Sequence, residues 1–326
     1  MKAIICNEFG PVEQLTFVEV DDPVPGDDEV LIGVTAAGVN FPDALLVQGL
    51  YQMQPEFPFI PGNEVAGRVI QCGKNVTSLQ CGDRVIGISQ LGGFAEKVAL
   101  PATQVMPIPE GVTEFAAAGL ITAHATAHHA LKQRAQLTPG ETLLVTGAAG
   151  GTGLAAVQIG KRLGANVIAV CSTDEKLALA KKYGAEVTIN YLEQDLKETL
   201  KDITRGKGIN VVYDCVGGDA FHACARAMAW GGRLLTVGFA SGEIPKLAAN
   251  LALIKGFSLV GVFWGQFIQK EPDVFRQNMH ELFDWAMAGD VTVHIEQSYP
   301  LSEAATALNE LVNRRVKGKI ILKVEQ

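Results

Sequence analysis

A strand-like run, Thr142-Leu-Leu-Val-Thr146, enters a turn from Gly147 to Gly153 and leaves into an apolar-periodic helix carrying Leu154, Val157, Ile159 and Leu163. Gly151-Thr152-Gly153-Leu154-Ala155-Ala156 satisfies the G-x-G-x-x-A form of the dinucleotide fingerprint. Glycine suits Gly150, Gly151 and Gly153 because a bare backbone can turn tightly and aim its N–H groups at a pyrophosphate beside a helix N-terminus. A turn that merely packs helix on strand is the alternative; the flanking strand and helix favour the phosphate reading. About twenty residues on, an NAD site would end its second strand in Asp or Glu, but this strand ends Val170-Cys171-Ser172. Ser172, Thr173 and Lys176 can instead donate to a 2′-phosphate, which points to NADPH. Ser172 could simply cap the next helix with Glu175 as capping-box partner, yet a cation at Lys176 in a first turn opposes the helix dipole. Asp174 keeps a ribose-binding reading open should the turn be shifted.

A second group lies nearer the N-terminus. The Asn40 amide can donate to a developing anionic oxygen, and the Tyr51 phenol can donate or relay a proton. Each has a structural alternative: Asn40 as a turn former, Asp43 as a helix cap, Tyr51 as a packing aromatic. All six histidines lie at or beyond His124, and no two cysteines form a C-x-x-C pair. His128 and His129 are adjacent in a helical stretch, so their rings point about 100° apart. No Ser/His/Asp or Cys/His nucleophile can be assembled, which argues against hydrolysis.

The elements that must carry these residues fall into two textures. Up to about residue 120 the chain is rich in Gly and Pro, with short β-branched runs at Val30–Val34, Val65–Ile70 and Arg84–Ile88, which predicts a mostly antiparallel β domain. A helix is expected over Phe115–Gln136. Beyond it, apolar runs at Thr142–Thr146, Asn166–Cys171, Val187–Ile189, Asn210–Tyr213 and Arg233–Val237 alternate with helical stretches. That alternation predicts βαβ units and a parallel sheet. A helix over Pro272–Ala288 and a strand over Lys319–Val324 follow, expected to return to the first domain.

With 48% hydrophobic and 19% charged residues the chain has globular composition. Its net charge of −8 disfavours nucleic acid and anionic lipid as partners. No apolar run reaches the ~18 residues of a membrane span. The start lacks a signal-peptide core and the cysteines read as reduced thiols, so a cytoplasmic location is expected.

Taken in order, Gly38-Val-Asn-Phe-Pro-Asp43, Gly49-Leu-Tyr51, Pro61-Gly62-Asn-Glu64, Gly82-Asp-Arg-Val85, the Ala148–Gly153 turn, Ile189-Asn-Tyr191 and Tyr213-Asp-Cys-Val-Gly-Gly218 resemble the zeta-crystallin-type quinone oxidoreductases, zinc-independent medium-chain dehydrogenase/reductases. The Trp264-Gly265 and Asn250-Leu251 surroundings resemble one branch of that family. The resemblance implies an α/β fold: a GroES-like β-rich catalytic domain over residues 1–122, a Rossmann doubly wound NADP-binding domain over 123–262, and a return over 263–326. It implies NADPH in the cleft between them and places Phe41 to Leu45, with Asp43, and Thr126 near the nicotinamide. Gly151 and Thr152 would meet the pyrophosphate, Ser172 and Lys176 the 2′-phosphate, and Tyr191 the adenosine. Val216, Gly217, Val237, Phe239, Ala240, Phe263 and Trp264 would line the rest of the groove. His129 stands where some relatives have tyrosine, and Arg314 matches a cationic position.

Zinc-dependent relatives hold metal through a Cys after the third strand and a His in a Gly-His-Glu turn; here these read Asn40 and Asn63, poor ligands for zinc. A quinone or enone is electrophilic enough to accept hydride without a Lewis acid, so the expected activity is NADPH-dependent quinone reduction. Reduction of an enone, alkenal or enoyl thioester C=C bond stands beside it, although the acidic surface suits a phosphorylated carrier poorly. An NADPH-binding structural or sensor protein is the non-catalytic alternative. A homodimer is expected.

Overall fold

The computed structural model describes residues 1–325. Contacts divide them into two compact units, one of Met1–Thr122 together with the chain from Val293 onward, the other of Ala123–Thr292.

The first unit runs β1 (Lys2–Ile5), β2 (Thr16–Glu19), β3 (Glu29–Val39), α1 (Phe41–Val47), β4 (Glu64–Cys72), β5 (Arg84–Ile88), β6 (Lys97–Pro101) and β7 (Val105–Pro107) into α2 (Glu114–His129), whose last turns belong to the second unit. The second unit continues with β8 (Thr142–Thr146), α3 (Gly151–Arg162), β9 (Asn166–Cys171), α4 (Asp174–Lys182), β10 (Val187–Asn190), α5 (Leu196–Ile203), β11 (Ile209–Asp214), α6 (Gly218–Ala227), β12 (Met228–Thr236), α7 (Ala249–Lys255), β13 (Ser258–Gly261), α8 (Trp264–Lys270) and α9 (Pro272–Ala288). The chain then adds β14 (Ile295–Pro300), α10 (Ala304–Val312) and β15 (Lys319–Lys323) to the first unit.

In the first unit β3 is the hub. It pairs antiparallel with β4, β6 and β15, in the sheet order β14-β15-β3-β4-β5-β7 with β6 on β3. Ile32, Val34, Val39, Val65, Val85, Ile320 and Leu322 are buried together, so the last strand is stitched into the core begun by the first ones. In register, Ile320 faces Val39, which brings Lys319 beside the turn that follows β3.

The second unit is a parallel sheet in the order β10-β9-β8-β11-β12-β13. Its strands are nearly continuous apolar runs because helices cover both faces. The chain steps outward from β8 through β9 to β10, then from β11 to β13 on the other side, so the order reverses between β8 and β11. Ligands of open α/β sheets bind outside the carboxyl ends of the strands at such a switch.

Residues 263–292 depart from the expected return at Phe263. They pack within the second unit: His129 stacks on Phe267 with ring centroids 3.7 Å apart, Gln133 and Asn278 exchange side-chain hydrogen bonds, and α9 buries Phe275, Met279, Leu282 and Phe283. An amphipathic helix goes where its apolar face is covered, and the division therefore falls at Val293. Among the described residues no helix is long and apolar enough to cross a membrane.

Candidate active site

In the first unit, Asn40 ends the β3 turn and opens α1. The Asn40 backbone N–H donates to Asp43 Oδ2 at 2.8 Å, the half of a capping box in which the third helical residue reaches back. The Asn40 side chain is drawn into a buried cluster. Its Nδ2 donates to Glu64 Oε1 at 2.7 Å and Asn63 Oδ1 at 3.0 Å, and its Oδ1 accepts from Lys319 Nζ at 2.7 Å. Lys319 also donates to Glu64 Oε1 at 2.7 Å and Val39 O at 3.1 Å, while Thr122 N donates to the other Glu64 oxygen at 2.6 Å. An amide has two N–H donors, and both of Asn40's are engaged. This corrects the expectation of Asn40 as a donor to substrate.

Asp43 is buried, and burial pushes its carboxyl up to about 7, opposed by the Asn40 N–H and reinforced by the Glu64 charge. Its side chain thus turns inward to cap α1, whereas Phe41 and Leu45, one helical turn apart and half-buried, share a face of α1. Tyr51 follows on a segment tied back to α1, with Leu50 N donating to Leu45 O at 2.8 Å. Burial, with the Asp43 charge, raises its phenol above the ordinary value, so it stays a donor throughout the neutral range. It is half-buried and packs on the core edge. Arg314 sits at φ 57° in the turn after α10.

In the second unit Gly150–Gly153, Ser172–Lys176, Tyr191, Val216–Gly217, Val237–Ala240 and Phe263–Trp264 follow the carboxyl ends of β8 to β13 in turn, while Thr126 and His129 lie on α2. Gly150 N-caps α3, whose first N–H groups lack intrahelical acceptors. A Cβ on Gly153 would lie 2.2 Å from Gly147 O, so the turn tolerates only glycine there. Beneath it the fully buried Tyr213 bonds through its hydroxyl to Thr152 Oγ1, which also donates to Ala123 O at 3.2 Å. Thr152 thus offers its backbone N–H, with its hydroxyl engaged in holding the helix start.

Thr173, not Ser172, caps α4, its Oγ1 accepting from Lys176 N at 3.3 Å. Ser172 and Lys176 are half-buried beside it. Asp174 Oδ1 accepts from Asn190 Nδ2 at 3.2 Å, which ties that carboxylate to β10. Tyr191 N donates to Cys171 O at 3.2 Å, placing Tyr191 and Ser172 on adjacent strand ends. At the end of β11, buried Asp214 accepts from Thr146 Oγ1 and from the N–H groups of Val216 and Gly217. Gly217 adopts φ 74°, where a side chain is strained and would meet Glu243 O. Ala240 N and Ser241 N donate to Cys215 O and Val216 O, which holds the segment after β12 beside Val216 and Gly217. Phe263 is 53% exposed, while Trp264 is buried with no partner for its indole N–H among the described residues. Thr126 is buried in α2. His129 is engaged by Phe267 and by Gln133, its Nδ1 lying 3.2 Å from Gln133 Oε1; burial lowers its affinity for a proton.

Sequence reasoning missed Glu64 and Lys319, Asp214, and the Tyr213 support. A lysine opening the apolar run Ile320-Ile321-Leu322 was the available signal for Lys319. Among the described residues no three His, Cys, Asp or Glu side chains are grouped to hold a metal ion.

Residues 26–110 match the alcohol dehydrogenase GroES-like domain, and residues 151–285 match the zinc-binding dehydrogenase family. A quinone oxidoreductase-like protein 2 homolog of Nematostella vectensis is 38% identical over 332 residues, covering 100% of this chain and 89% of that protein. The chain is a member of the quinone oxidoreductase family. Within it, Escherichia coli quinone oxidoreductase complexed with NADPH has a TM-score of 0.93 and 31% identity, covering 99% of this chain and 100% of the other. A mycobacterial protein complexed with NADPH matches at TM-score 0.93 and 34% identity, with coverage of 99% and 100%. Membership makes this chain an oxidoreductase of the medium-chain dehydrogenase/reductase type.

Proposed function

We propose that the protein reduces quinones with NADPH by hydride transfer and without zinc. The observation that carries this reading is the set of strand ends in the second unit: an open glycine turn on α3, and Ser172, Thr173 and Lys176 beside Tyr191 with the nearby Asp174 carboxylate occupied by Asn190. The relatives solved with NADPH support it. The backbone N–H groups of Gly151, Thr152 and Gly153 would bind the pyrophosphate, and Ser172, Thr173 and Lys176 the 2′-phosphate, with Tyr191 against the adenosine. Val216, Gly217, Val237, Phe239, Ala240, Phe263 and Trp264 would line the groove and exclude water. The nicotinamide would supply the hydride.

In the first unit Phe41 and Leu45 would orient the acceptor ring and Tyr51 would give a proton to the reduced oxygen, while Asn40 and Asp43 hold the start of α1. The donor set supports metal independence: Asn40 and Asn63 are amides bonded to one another, and an ammonium already neutralises Glu64. Screening NADPH consumption across quinones, enals and enoyl thioesters after exhaustive chelation tests this. Turnover is expected with quinones and undiminished by chelation; dependence on stoichiometric zinc, or no turnover with any quinone, contradicts it.

A cytoplasmic homodimer completes the reading. The six cysteines are free, which suits a reducing compartment. The sheet ends at β13, which carries Leu259, 49% exposed, while Trp230 on the neighbouring β12 and Leu253 on α7 are 82% and 80% exposed. An open apolar edge is a liability that pairing with a second copy removes. Light scattering should give twice the 34.7 kDa chain mass; a monomer across the micromolar range contradicts pairing.

A further inference from the structure

Lys319 has no part in the reactions above, yet it is one of the most enclosed charges in the first unit, with its side chain 4% exposed against 0% for Glu64. Its ammonium has three donors, and the structure supplies three oxygens: Val39 O at 3.1 Å, Asn40 Oδ1 at 2.7 Å and Glu64 Oε1 at 2.7 Å. The bond to Asn40 Oδ1 fixes the amide's orientation, since it leaves Nδ2 to face Glu64 and Asn63. Asn40 is followed at once by α1, and the segment to Tyr51 is hydrogen-bonded back to α1 through Leu50 N. A single cation on the final strand therefore sits at the root of the element that carries Phe41, Leu45 and Tyr51.

We propose that Lys319 is a positioning residue for the acceptor side, an internal cation that orients the Asn40 amide and through it α1 and Tyr51. This rests on reading the Asn40–Tyr51 region as the acceptor side. A residue that only filled space would be replaceable by an apolar one of similar length. An ammonium that orients oxygens is not, and its deletion leaves a cavity shaped for the lost amine.

The test is Lys319→Ala in the full chain, with propylammonium as the probe because it replaces the deleted atoms. Stranding the Glu64 charge should lower Tm by roughly 6 to 20 °C. Displacing the acceptor side should lower kcat with a quinone about 10- to 100-fold, while the NADPH Kd changes less than about twofold, within the error of a site left untouched. Propylammonium should recover Tm and most of kcat where equal concentrations of sodium or tetramethylammonium do not. A folded Lys319→Ala with wild-type kcat, or no specific rescue by propylammonium, overturns the proposal. Should Lys319→Ala not fold, the pair Lys319→Met with Glu64→Gln removes both charges at similar volume. It should fold near the wild-type Tm and still show the kcat loss with NADPH affinity intact; full kcat in that variant overturns the proposal equally. Were the wild type inactive with every quinone, the quinone reading would fail, whereas the Tm rescue would still decide the internal cation.

Discussion

In the first unit every polar group of the Asn40–Glu64–Lys319 cluster is engaged by another, whereas in the second unit the turn at Gly150–Gly153 is built on bare backbone whose first helical N–H groups have no intrahelical acceptor. One region is closed electrostatically and holds a shape; the other keeps donors in reserve. A part that must bind a highly charged ligand needs unsatisfied donors, while a part that must aim one hydroxyl at a neutral acceptor needs rigidity around it. Tyr51 carries a hydroxyl left over on the closed side: no hydrogen bond of its phenol to another described residue accompanies its position beside the Asp43 charge.

Removing that hydroxyl tests the comparison most severely. Tyr51→Phe keeps the ring and its packing, so the change isolates hydrogen bonding. With an enone, whose enolate oxygen needs a donor as charge develops, the expected loss is about 100-fold in kcat. With a quinone, whose oxygens can take protons from water, a few-fold loss is expected, because water substitutes for the missing donor. NADPH affinity should not move. Unchanged rates on every acceptor would return Tyr51 to packing and leave the closed side without a chemical group.

A smaller effect probes how closed that side is. Asp43 titrates at about 7 in the fold because burial disfavours its charge, against about 3.9 unfolded. The folded state then binds the extra proton, so the stability this group contributes is full below about pH 4 and is lost as pH rises through about 7. Asp43→Asn keeps an acceptor for the Asn40 N–H and abolishes the titration. Between pH 4 and 8 its stability relative to wild type should therefore improve, by roughly 4 kcal/mol for a shift of that size. A pH-independent difference in thermal unfolding would show that Asp43 is ionised and solvated in the fold.

The same contrast explains what could be read from residues alone. The glycine turn, the strands around it and the Ser172–Lys176 stretch are local, each readable within twenty residues, and β8 and β9 keep the boundaries their apolar runs suggested. The closed cluster is not local: Lys319 meets Asn40 across 279 positions and Glu64 across 255, so Asn40 read as a spare donor when its partners lay out of sight. The boundary near Phe263 failed for a related reason, since only the tertiary partners of α8 and α9, His129 and Gln133 among them, decide which unit covers those helices. Thr173 rather than Ser172 became the cap because boundaries one residue apart look alike in a sequence with two adjacent hydroxyls.

Titrating NADPH and NADH into the wild type and Lys176→Ala measures directly whether the second unit recognises NADPH through its 2′-phosphate. Wild type should favour NADPH. The variant should lose one charge-assisted contact of roughly 1.5 to 3 kcal/mol, a fall of about 10- to 150-fold in NADPH affinity, with NADH binding nearly unchanged. Equal losses for both cofactors, or a wild type that binds NADH as tightly as NADPH, would contradict it.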